Sequence, residues 1–341
     1  MRAFQLATKY SIPALGFGTW NVPAEEAGKL VELAIGAGYR HIDCAPAYAN
    51  EAEVGAGLTK CFEKGVAKRE DLFITSKLWN TKHKPEDVRP ALLQTLKDLQ
   101  LDYLDLFLIH WPVALKDGHD FPPTKEQQIS LDDCPIASTW TEMEKAVDDG
   151  LVRSIGVSNF SAKKLDDLVK DPQTRILPVI NQVECHPYLQ LKDLHTYCAA
   201  KSIHLTGYSP LGSPARPDGV SKLDNEPILL DDPVVVEMAK KYNVSPAQIL
   251  IHWGVVVGGR SVLCKSSSTE RMKLNIASID AFTLDDEDKE KLAGLEKHRR
   301  YITGEFWVCP DGPYTMENIW DEQYTVESLL MTDETLIQRE R

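Results

Sequence analysis

Four side chains able to hold or move a proton lie next to three successive apolar runs of the sequence. Asp43 lies at the end of the second run and Tyr48 five residues further on. Lys77 follows the third run, and His110 follows the fourth. The runs have the length and composition of buried parallel strands, whose carboxyl ends meet at one mouth of a barrel or one edge of a sheet. We therefore expect a carboxylate, a phenol, an ammonium and an imidazole to converge on one proton-handling site.

The chemistry of such a site is specific. A free tyrosine has a pKa near ~10, which is too high for efficient proton exchange at neutral pH. A neighbouring ammonium favours the phenolate, so we expect Lys77, held in place by Asp43, to lower the pKa of Tyr48. His110 would orient a carbonyl group. Tyr48 is then predicted to act as general acid or base, a role typically worth about 10²–10⁴-fold in rate.

Each of these residues taken singly also has a structural interpretation. An aspartate at a strand end often forms a turn, a lysine is often a solvated charge, and a histidine after an apolar run is often a packing residue. Their joint placement after successive strands favours the catalytic interpretation. The sequence has neither a His pair at metal-ligand spacing nor a GxSxG motif, so we expect no metal centre and no serine hydrolase.

A basic, serine-rich segment follows the last predicted strand. Lys265-Ser-Ser-Ser268 opens a predicted helix, and Arg271 lies one turn into it. Backbone N–H groups at a helix N-terminus attract anions, and Lys and Arg suit a phosphate monoester. The segment therefore predicts a phosphate site, which barrels often place near their last two strands. A serine-rich helix cap with two solvated cations is the alternative.

Aromatic side chains follow several of the same strands. Trp20, Trp79 and Trp111 each come after a different predicted strand, and Tyr208 ends another. Three tryptophans at one mouth would build an apolar pocket, and Tyr208 could stack on a flat ring. Core packing is the alternative role. Further aromatics lie in the segment after Tyr301, which has no clear period.

The elements that must position these residues alternate between short apolar runs and longer amphipathic segments. This pattern predicts β/α units around a parallel sheet. The eight predicted strands are Leu15–Gly18, His41–Cys44, Leu72–Ser76, Leu104–Ile109, Ser154–Val157, Val179–Val183, His204–Tyr208 and Ser261–Cys264. Among the helices predicted between them, one runs over Ser138–Asp149 with Ser138 as its N-cap.

Eight strands can close a barrel or form an open, doubly wound sheet. The open sheet should carry a GxGxxG turn after its first strand, whereas Gly16-Phe-Gly-Thr-Trp20 is followed by Asn21. We therefore predict an α/β fold, a (β/α)8 TIM barrel with an N-terminal β-hairpin over Phe4–Pro13. Long functional loops are expected at its carboxyl-terminal face, over Asp117–Leu131 and Gly212–Leu230.

Length and composition agree with one large domain in a reducing compartment. The chain has 341 residues, a net charge of -13 and seven cysteines without a CxxC pair. The negative charge disfavours nucleic acid and anionic membranes as partners, and the irregular cysteine spacing disfavours a disulfide framework. We see no secretory signal and no membrane-spanning run. We expect a cytoplasmic monomer, with residues 1–322 as one domain and 323–341 as an acidic C-terminal tail.

Several motifs together resemble the aldo-keto reductase superfamily over about residues 8–300 and, within it, the aldehyde reductases. The motifs are Gly16-Phe-Gly-Thr-Trp20, Gly38-Tyr-Arg-His-Ile-Asp43, Tyr48-x-Asn-Glu51, Thr75-Ser-Lys-Leu-Trp79, Leu104-Asp-Leu-x-Leu-Ile-His110-Trp-Pro, Gly156-Val-Ser-Asn-Phe160, Asn181-Gln-Val-Glu-Cys-His-Pro187, Tyr208-Ser-Pro-Leu-Gly-Ser213 and Lys265-Ser266. The resemblance implies a catalytic tetrad of Asp43, Tyr48, Lys77 and His110. It also implies NADPH-dependent reduction of aldehydes, and of some ketones, to alcohols.

The resemblance further implies where the nucleotide and the substrate bind. NADPH or NADP+ would be held by Thr19, Trp20, Asp43, Ser158, Asn159, Gln182, Tyr208, Ser209, Leu211, Ser213, Lys265, Ser266, Ser267, Ser268, Arg271 and Asn275. Within this set, Ser158, Asn159 and Gln182 would hold the nicotinamide carboxamide, and Tyr208 would stack on its ring. The aldehyde, a small molecule, would contact Trp20, Tyr48, Trp79, His110 and Trp111.

The sequence departs from the family pattern at three places. Many relatives carry a lysine after the Trp20 position and an acid in the strand-seven loop, and these two close that loop over the cofactor. Here the positions are Asn21 and Ala215, and Leu274 replaces an acid near the adenine, so we expect faster NADP+ release. The range 301–338 has no Lys or Arg, so we expect neutral aldehydes to be preferred over carboxylate-bearing ones.

One alternative function stays open at this point. A barrel of this kind can keep its nucleotide site and have weak catalysis, acting as an NADP(H)-binding regulatory or structural protein. The complete tetrad favours the enzyme.

Overall fold

A closed barrel of eight parallel strands forms the centre of the molecule. The computed structural model describes residues 2–118, 121–217, 220 and 225–330. The strands are β1 (Ala3–Gln5), β2 (Ser11–Pro13), β3 (Leu15–Gly18), β4 (His41–Asp43), β5 (Phe73–Leu78), β6 (Leu106–Ile109), β7 (Ala114–Leu115), β8 (Gln128–Ile129), β9 (Ile155–Ser158), β10 (Ile180–Glu184), β11 (His204–Tyr208) and β12 (Ser261–Leu263). The barrel closes where β12 pairs with β3, and β7 and β8 form a separate antiparallel pair.

The eight predicted barrel strands are confirmed, with small shifts at their ends. The largest consequence concerns β5, which continues two residues past its predicted end because Lys77 and Leu78 pair with Leu108 and Ile109 of β6. Lys77 therefore lies inside a strand rather than after it. A lysine can occupy this buried position because Asp43 of β4 lies beside it and neutralises its charge.

Helices surround the barrel. They are α1 (Ala24–Ala37), α2 (Glu51–Glu63), α3 (Pro85–Leu99), α4 (Ile136–Asp148), α5 (Ala162–Lys170), α6 (Lys192–Ala200), α7 (Pro233–Lys241), α8 (Pro246–His252), α9 (Thr269–Ala277), α10 (Asp286–Ala293) and α11 (Met316–Trp320). The predicted N-cap at Ser138 is wrong, because α4 begins at Ile136 directly after Pro135. Ile136 and Ala137 pack toward the core, so the earlier start buries more apolar surface.

The glycine-rich end of β3 serves the packing of the barrel interior. A Cβ atom on Gly16 would lie 2.5 Å from Nδ1 of His41 and 2.6 Å from Leu263. The His41 ring is buried, and its Nε2 lies 3.0 Å from Oγ1 of Thr75. Only glycine at position 16 leaves room for this imidazole, whereas a Cβ atom on Gly18 would come no closer than 4.0 Å to Leu263.

The two ends of the barrel differ in what covers them. The predicted N-terminal hairpin is confirmed, since β1 and β2 pair antiparallel. Its Ile12 packs with Phe73 and Leu106, the first residues of β5 and β6, so it covers the amino-terminal end. The opposite end, where the predicted site residues lie, is covered by loops and by the C-terminal segment.

Some predicted loops extend outside the described residues. These are positions 119–120, 218–219 and 221–224 of the two long loops, and positions 331–341 of the tail. In the described part of the predicted tail, Val326 and Leu329 pack into the main hydrophobic core. No helix within the described ranges combines the length and the apolar character needed to cross a bilayer.

Candidate active site

Asp43, Lys77 and Tyr48 meet at the carboxyl-terminal mouth of the barrel. Nζ of Lys77 donates hydrogen bonds to Oδ1 of Asp43 at 2.6 Å, to the carbonyl oxygen of Cys44 at 2.9 Å and to the Tyr48 hydroxyl at 3.1 Å. Tyr48 reaches this position from the 3-10 turn Pro46–Tyr48 that follows β4. The ammonium thus has three acceptors for its three protons, which fixes its direction toward the phenol oxygen.

The Asp43 carboxylate is held from both sides of the barrel. Its second oxygen accepts a 2.7 Å hydrogen bond from Nε2 of Gln182, which comes from β10 on the far side. The Thr19 hydroxyl donates to the backbone oxygen of Asp43 at 3.0 Å. Two predicted nucleotide-binding residues, Gln182 and Thr19, are therefore in the same network as the ion pair of Asp43 and Lys77.

The acidity of Tyr48 differs from the sequence-based expectation. Burial raises the pKa of Tyr48 to about 12, although the nearby Lys77 charge opposes this shift. The expected net lowering is therefore wrong, because desolvation of the phenolate outweighs one ammonium that Asp43 already neutralises. Tyr48 is a neutral phenol at physiological pH and holds the proton that a general acid needs.

The charge states of the two neighbouring groups follow from their surroundings. Burial by itself would lower the pKa of Lys77, but Asp43 and Tyr48 outweigh it, and the net pKa is raised above the usual value. Burial, helped by Lys77 and by His83, holds the pKa of His110 well below its usual range. The site therefore pairs a charged lysine with a neutral imidazole.

His110 faces the phenol across the mouth. Its ring centroid lies 5.7 Å from that of Tyr48 and 5.2 Å from that of Trp79, both in edge-on geometry. The backbone oxygen of His110 accepts a 2.9 Å hydrogen bond from Nδ2 of Asn159. A carbonyl group placed between the Tyr48 hydroxyl and His110 could contact both.

Aromatic side chains form the wall next to His110. Trp79 and Trp111 lie there as predicted, with Trp20 partly buried beside them. Trp307 contacts both, at ring distances of 5.7 Å from Trp79 and 5.9 Å from Trp111. Three further aromatics complete the wall and were not assigned to the site from the sequence: Phe121, Phe306 and Trp320. They lie in a loop (Phe121), a 3-10 turn (Phe306) and the five-residue helix α11 (Trp320), all too short to show a periodic pattern, so only their residue type could have indicated a pocket.

The predicted nicotinamide-binding residues form a connected group at the ends of β9, β10 and β11. The Ser158 hydroxyl donates to the backbone oxygen of Gln182 at 2.8 Å. The Tyr208 hydroxyl donates to Oδ1 of Asn159 at 2.7 Å. Asn159 has a left-handed backbone with φ of 61°, a strained conformation that is often found at functional sites.

The loop after β11 contains two more left-handed residues of the predicted set. Ser209 and Ser213 have φ of 50° and 45°, and their hydroxyl oxygens lie 2.6 Å apart. Leu211 between them packs partly buried against the core. The strained turn brings backbone and hydroxyl groups to one side, as expected for a segment that would line a pyrophosphate.

The predicted phosphate site lies at the start of α9. Ser268 caps this helix by accepting from the backbone N–H of Arg271, and Nε of Arg271 donates to the Ser266 hydroxyl at 3.4 Å. Lys265, Ser267 and Arg271 are exposed there. Asn275 is buried, and its amide nitrogen lies 3.4 Å from the sulfur of Cys264. It therefore lies beneath the exposed side chains of Lys265, Ser267 and Arg271.

Comparison with known proteins decides the family. The profile of the aldo/keto reductase family matches residues 14–297. The chain belongs to the aldo/keto reductase family. An aldo/keto reductase of Synechocystis is 48% identical to this chain over 322 residues, which is 94% of this chain and 97% of that protein.

Two relatives from eukaryotes are nearly as similar. Aldo-keto reductase family 4 member C11 of Arabidopsis thaliana is 46% identical over 321 residues, 93% of this chain and 97% of the relative. Aldo-keto reductase family 1 member A1 of Homo sapiens is 45% identical over 301 residues, 87% of this chain and 90% of the relative. The resemblance stated from the motifs is thereby confirmed, and the chain is an oxidoreductase of this family.

Aldo/keto reductases use a nicotinamide nucleotide, and the donor groups of this barrel fit one. At one end lie hydroxyl and amide groups at the carboxyl ends of β9 and β10, close to the proton donor. At the other end lie two exposed cations, Lys265 and Arg271, and the backbone N–H groups of the first turn of α9. These two groups of donors could hold the two ends of such a nucleotide.

The loop-closing positions of this aldo/keto reductase contact each other despite their changed residues. Nδ2 of Asn21 donates to the backbone oxygen of Ala215 at 3.0 Å, and Nζ of Lys265 donates to the backbone oxygen of Asn21 at 2.8 Å. An exposed hydrogen bond between an amide and a carbonyl thus joins the two positions where the family resemblance leads us to expect an ion pair. The loop is also fastened from inside, because the buried Arg216 pairs with Glu226 at 2.6 Å, which the sequence did not indicate.

Proposed function

We propose that this chain reduces aldehydes, and some ketones, to alcohols with NADPH, and that Tyr48 supplies the proton. The observation that carries the proposal is the hydrogen-bonded row from Asp43 through Lys77 to the Tyr48 hydroxyl, with distances of 2.6 and 3.1 Å. The row points a neutral phenol into an aromatic pocket, next to a neutral imidazole. A proton donor and a hydrogen-bond donor facing one cleft are what the reduction of a carbonyl requires.

Each member of the tetrad has a distinct role in this proposal. When bound, NADPH supplies the hydride to the carbonyl carbon. Tyr48 gives its proton to the carbonyl oxygen as that oxygen gains negative charge. Lys77 stabilises the resulting phenolate, and Asp43 holds the ammonium in place. The His110 imidazole orients the carbonyl by hydrogen bonding, and Trp20, Trp79 and Trp111 exclude water.

The phosphate end supports NADPH over NADH. Lys265 and Arg271 offer a point charge and a planar guanidinium at the start of α9, which suits a dianionic monoester. NADH carries no such group, so it would leave these cations without an anionic partner. The other proposed contacts bind the nicotinamide and the pyrophosphate, which NADPH and NADH share.

The substrate wall supports neutral aldehydes. The side chains that line it are mainly indole and phenyl rings, and the range 301–338 contains no Lys or Arg. Burial of a carboxylate against such rings costs free energy. The guanidinium of Arg300 lies 3.7 Å from the centre of the Trp320 ring, but it already pairs with Glu322 at 3.0 Å. A clear kcat/KM advantage for glucuronate over a matched neutral aldehyde would contradict this part of the proposal.

The decisive experiment follows the loss of the NADPH absorbance band with an aromatic aldehyde as substrate. We expect turnover with NADPH and much weaker turnover with NADH at the same concentration. A protein that binds NADPH, seen by quenching of its tryptophan fluorescence, but reduces no member of an aldehyde panel would instead be a regulatory or structural nucleotide-binding protein. The assembled tetrad favours the enzyme.

We also propose that the enzyme is a cytoplasmic monomer. All seven cysteines are free thiols, and six of them are buried, which agrees with a reducing compartment. Light scattering coupled to size-exclusion chromatography would test the monomer.

A further inference from the structure

The C-terminal segment forms one wall of the aromatic pocket. We call residues 301–321 the strap. Trp307 of the strap contacts Trp79 and Trp111, and Trp320 lies 5.8 Å from Trp111 between ring centroids. The position of the strap therefore sets the width of the pocket next to His110.

The first end of the strap is fastened to β10. The carboxylate of Glu184 accepts backbone hydrogen bonds from Tyr301 at 2.7 Å and from Ile302 at 2.8 Å. Nε2 of His186 lies 2.9 Å from the same carboxylate. Glu184 is almost fully buried, so these contacts are shielded from water.

The second end of the strap is fastened to α5. Nζ of Lys164 donates to Oδ2 of Asp321 at 2.5 Å, to the backbone oxygen of Ile319 at 3.3 Å and to the backbone oxygen of Asn318. The Ser161 hydroxyl donates to the same oxygen of Asp321 at 2.5 Å. One ammonium thus satisfies the last carbonyl groups of α11 and the carboxylate that follows them.

This second anchor is buried, unlike the ion pairs around it. The side chains of Lys164 and Asp321 are 9% and 11% exposed, whereas the neighbouring Lys163 pairs with Asp167 at side-chain exposures of 29% and 60%. A buried ammonium must keep its partners, because leaving it without them is costly. The end of α11 is therefore bound to one position rather than to a range of positions.

Both anchors begin at the strands that bear the proposed nicotinamide contacts. Glu184 lies two residues after Gln182 on β10, and α5 starts three residues after Asn159. The strap and the proposed nicotinamide contacts are therefore held by the ends of the same two strands, β9 and β10. A substrate held against Trp307 would be held at a fixed distance from the reacting carbon of the nucleotide.

We propose that Lys164 and Asp321 are positioning residues for the substrate, which hold the strap so that its aromatic wall selects large, apolar aldehydes. This proposal rests on the proposed reductase function. Neither residue contacts the reacting groups, and both act through Trp307 and Trp320. Loss of the anchor should weaken the binding of substrates that need the wall and leave small substrates unaffected.

The test compares Lys164→Met with the matched control Lys163→Met on the same helix. For 2-naphthaldehyde we expect Lys164→Met to raise KM about tenfold to a hundredfold, because a displaced wall makes fewer apolar contacts with the naphthyl ring. The kcat value should stay within about twofold, because the tetrad is untouched. Propanal, which reaches Tyr48 without filling the wall, should show unchanged kinetics, as should the control variant with both aldehydes.

A second readout does not depend on activity. The range 301–338 has no trypsin sites but contains Phe306, Trp307, Tyr314 and Trp320, so chymotrypsin can report whether the strap is released. We expect faster cleavage inside the strap for Lys164→Met than for wild type or Lys163→Met. If wild type reduces no aldehyde but Lys164→Met is still cleaved faster, Lys164 does anchor the strap and only the proposed reductase function is rejected.

Asp321→Asn tests the same anchor with a milder change, so the proposal can still be tested if Lys164→Met does not fold. Asparagine tolerates the left-handed backbone of position 321, where φ is 51°, and it keeps the size of the side chain. We expect a smaller rise in KM for 2-naphthaldehyde than with Lys164→Met, again without a change for propanal. Equal losses for both aldehydes, or a released strap with unchanged KM, would overturn the positioning role.

Discussion

The ammonium of Lys77 lies 2.6 Å from the carboxylate of Asp43, and the two side chains are only 0% and 3% exposed. The remaining polar atoms of this ion pair are bonded to Gln182, Cys44 and Tyr48. A buried pair that is satisfied in this way is stable as a pair, but either partner alone is an uncompensated charge. The polar contacts of this pair are therefore completed by the protein's own groups, and the stability and the proposed chemistry of the site share the same residues.

The ion pair makes a prediction about stability that is separable from activity. Lys77→Met should lower the free energy of unfolding by about 3–5 kcal/mol, because it leaves the Asp43 carboxylate buried without a partner. Adding Asp43→Asn should restore most of that loss but none of the turnover. Urea unfolding and NADPH oxidation measure the two effects, with Lys60→Met at an exposed pair as control. A double variant no more stable than Lys77→Met would contradict the prediction.

The proton donor gives the second prediction. Tyr48→Phe should reduce kcat by about 10²–10⁴-fold, because it removes the only proposed proton donor to the carbonyl oxygen. The Kd for NADPH, from fluorescence titration, should stay the same. Tyr103→Phe is a suitable control, since this ring packs against Arg69 and Arg153 through its face. Retention of most activity by Tyr48→Phe would show that the role is assigned to the wrong residue.

Glu51 gives a prediction about pH and stability. Burial, opposed by hydrogen bonds from Ser76 and Thr95, raises the pKa of Glu51 from 4.5 to about 7. Because the folded protein holds this proton more tightly than the unfolded chain, the stabilising contribution is complete below about pH 4.5 and is lost as the pH rises through about 7. Between pH 5 and pH 8, wild type should lose on the order of 2 kcal/mol more unfolding free energy than Glu51→Gln.

Urea unfolding at several pH values measures this difference. Glu63→Gln, at an exposed position of the same helix, should follow wild type. Parallel curves for wild type and Glu51→Gln would mean that Glu51 is already ionised in the folded protein at low pH.

Nucleotide choice gives the fourth prediction. Replacing Lys265 by Met and Arg271 by Ala should weaken NADPH about tenfold to a hundredfold for each charge-assisted contact removed. The affinity for NADH should hardly change, so the preference between the two nucleotides falls. Lys273→Met, exposed on the same helix, should leave both Kd values as they are. Equal weakening of NADH and NADPH would argue against a phosphate contact.

The loop over the cofactor gives the fifth prediction. Asn21 and Ala215 are joined here by one neutral hydrogen bond, and we expect NADP+ release from wild type to be fast. The double variant Asn21→Lys/Ala215→Asp should slow release about twofold to fivefold, the range of an exposed ion pair. Asn21 has a left-handed backbone with φ of 54°, which lysine adopts less readily than asparagine. Stopped-flow fluorescence of the two single variants and the double variant therefore separates the effect of the new ion pair from backbone strain at position 21. Slow release from wild type, limited by loop opening, would contradict the expectation.

The sequence by itself predicted the barrel, which the structure confirms, and the four polar residues of the proposed tetrad. Its apolar runs are buried on both faces, so their composition marks them as strands, and residues at the ends of parallel strands must meet at one mouth. That rule placed Asp43, Tyr48, Lys77 and His110 together without any knowledge of distances. It also placed Trp79 and Trp111 beside them.

Only the tertiary structure decided the acidity of Tyr48 and the far wall of the pocket. The pKa of a phenol depends on the balance between desolvation and a charge that is itself neutralised, and this balance is a property of distances in three dimensions. The anchor of the strap joins Lys164 of α5 to Ile319 and Asp321 at the end of α11, which are 155 and 157 positions away in the sequence. Local pattern carries no signal for such contacts, because they are selected by packing against a barrel that must already be folded.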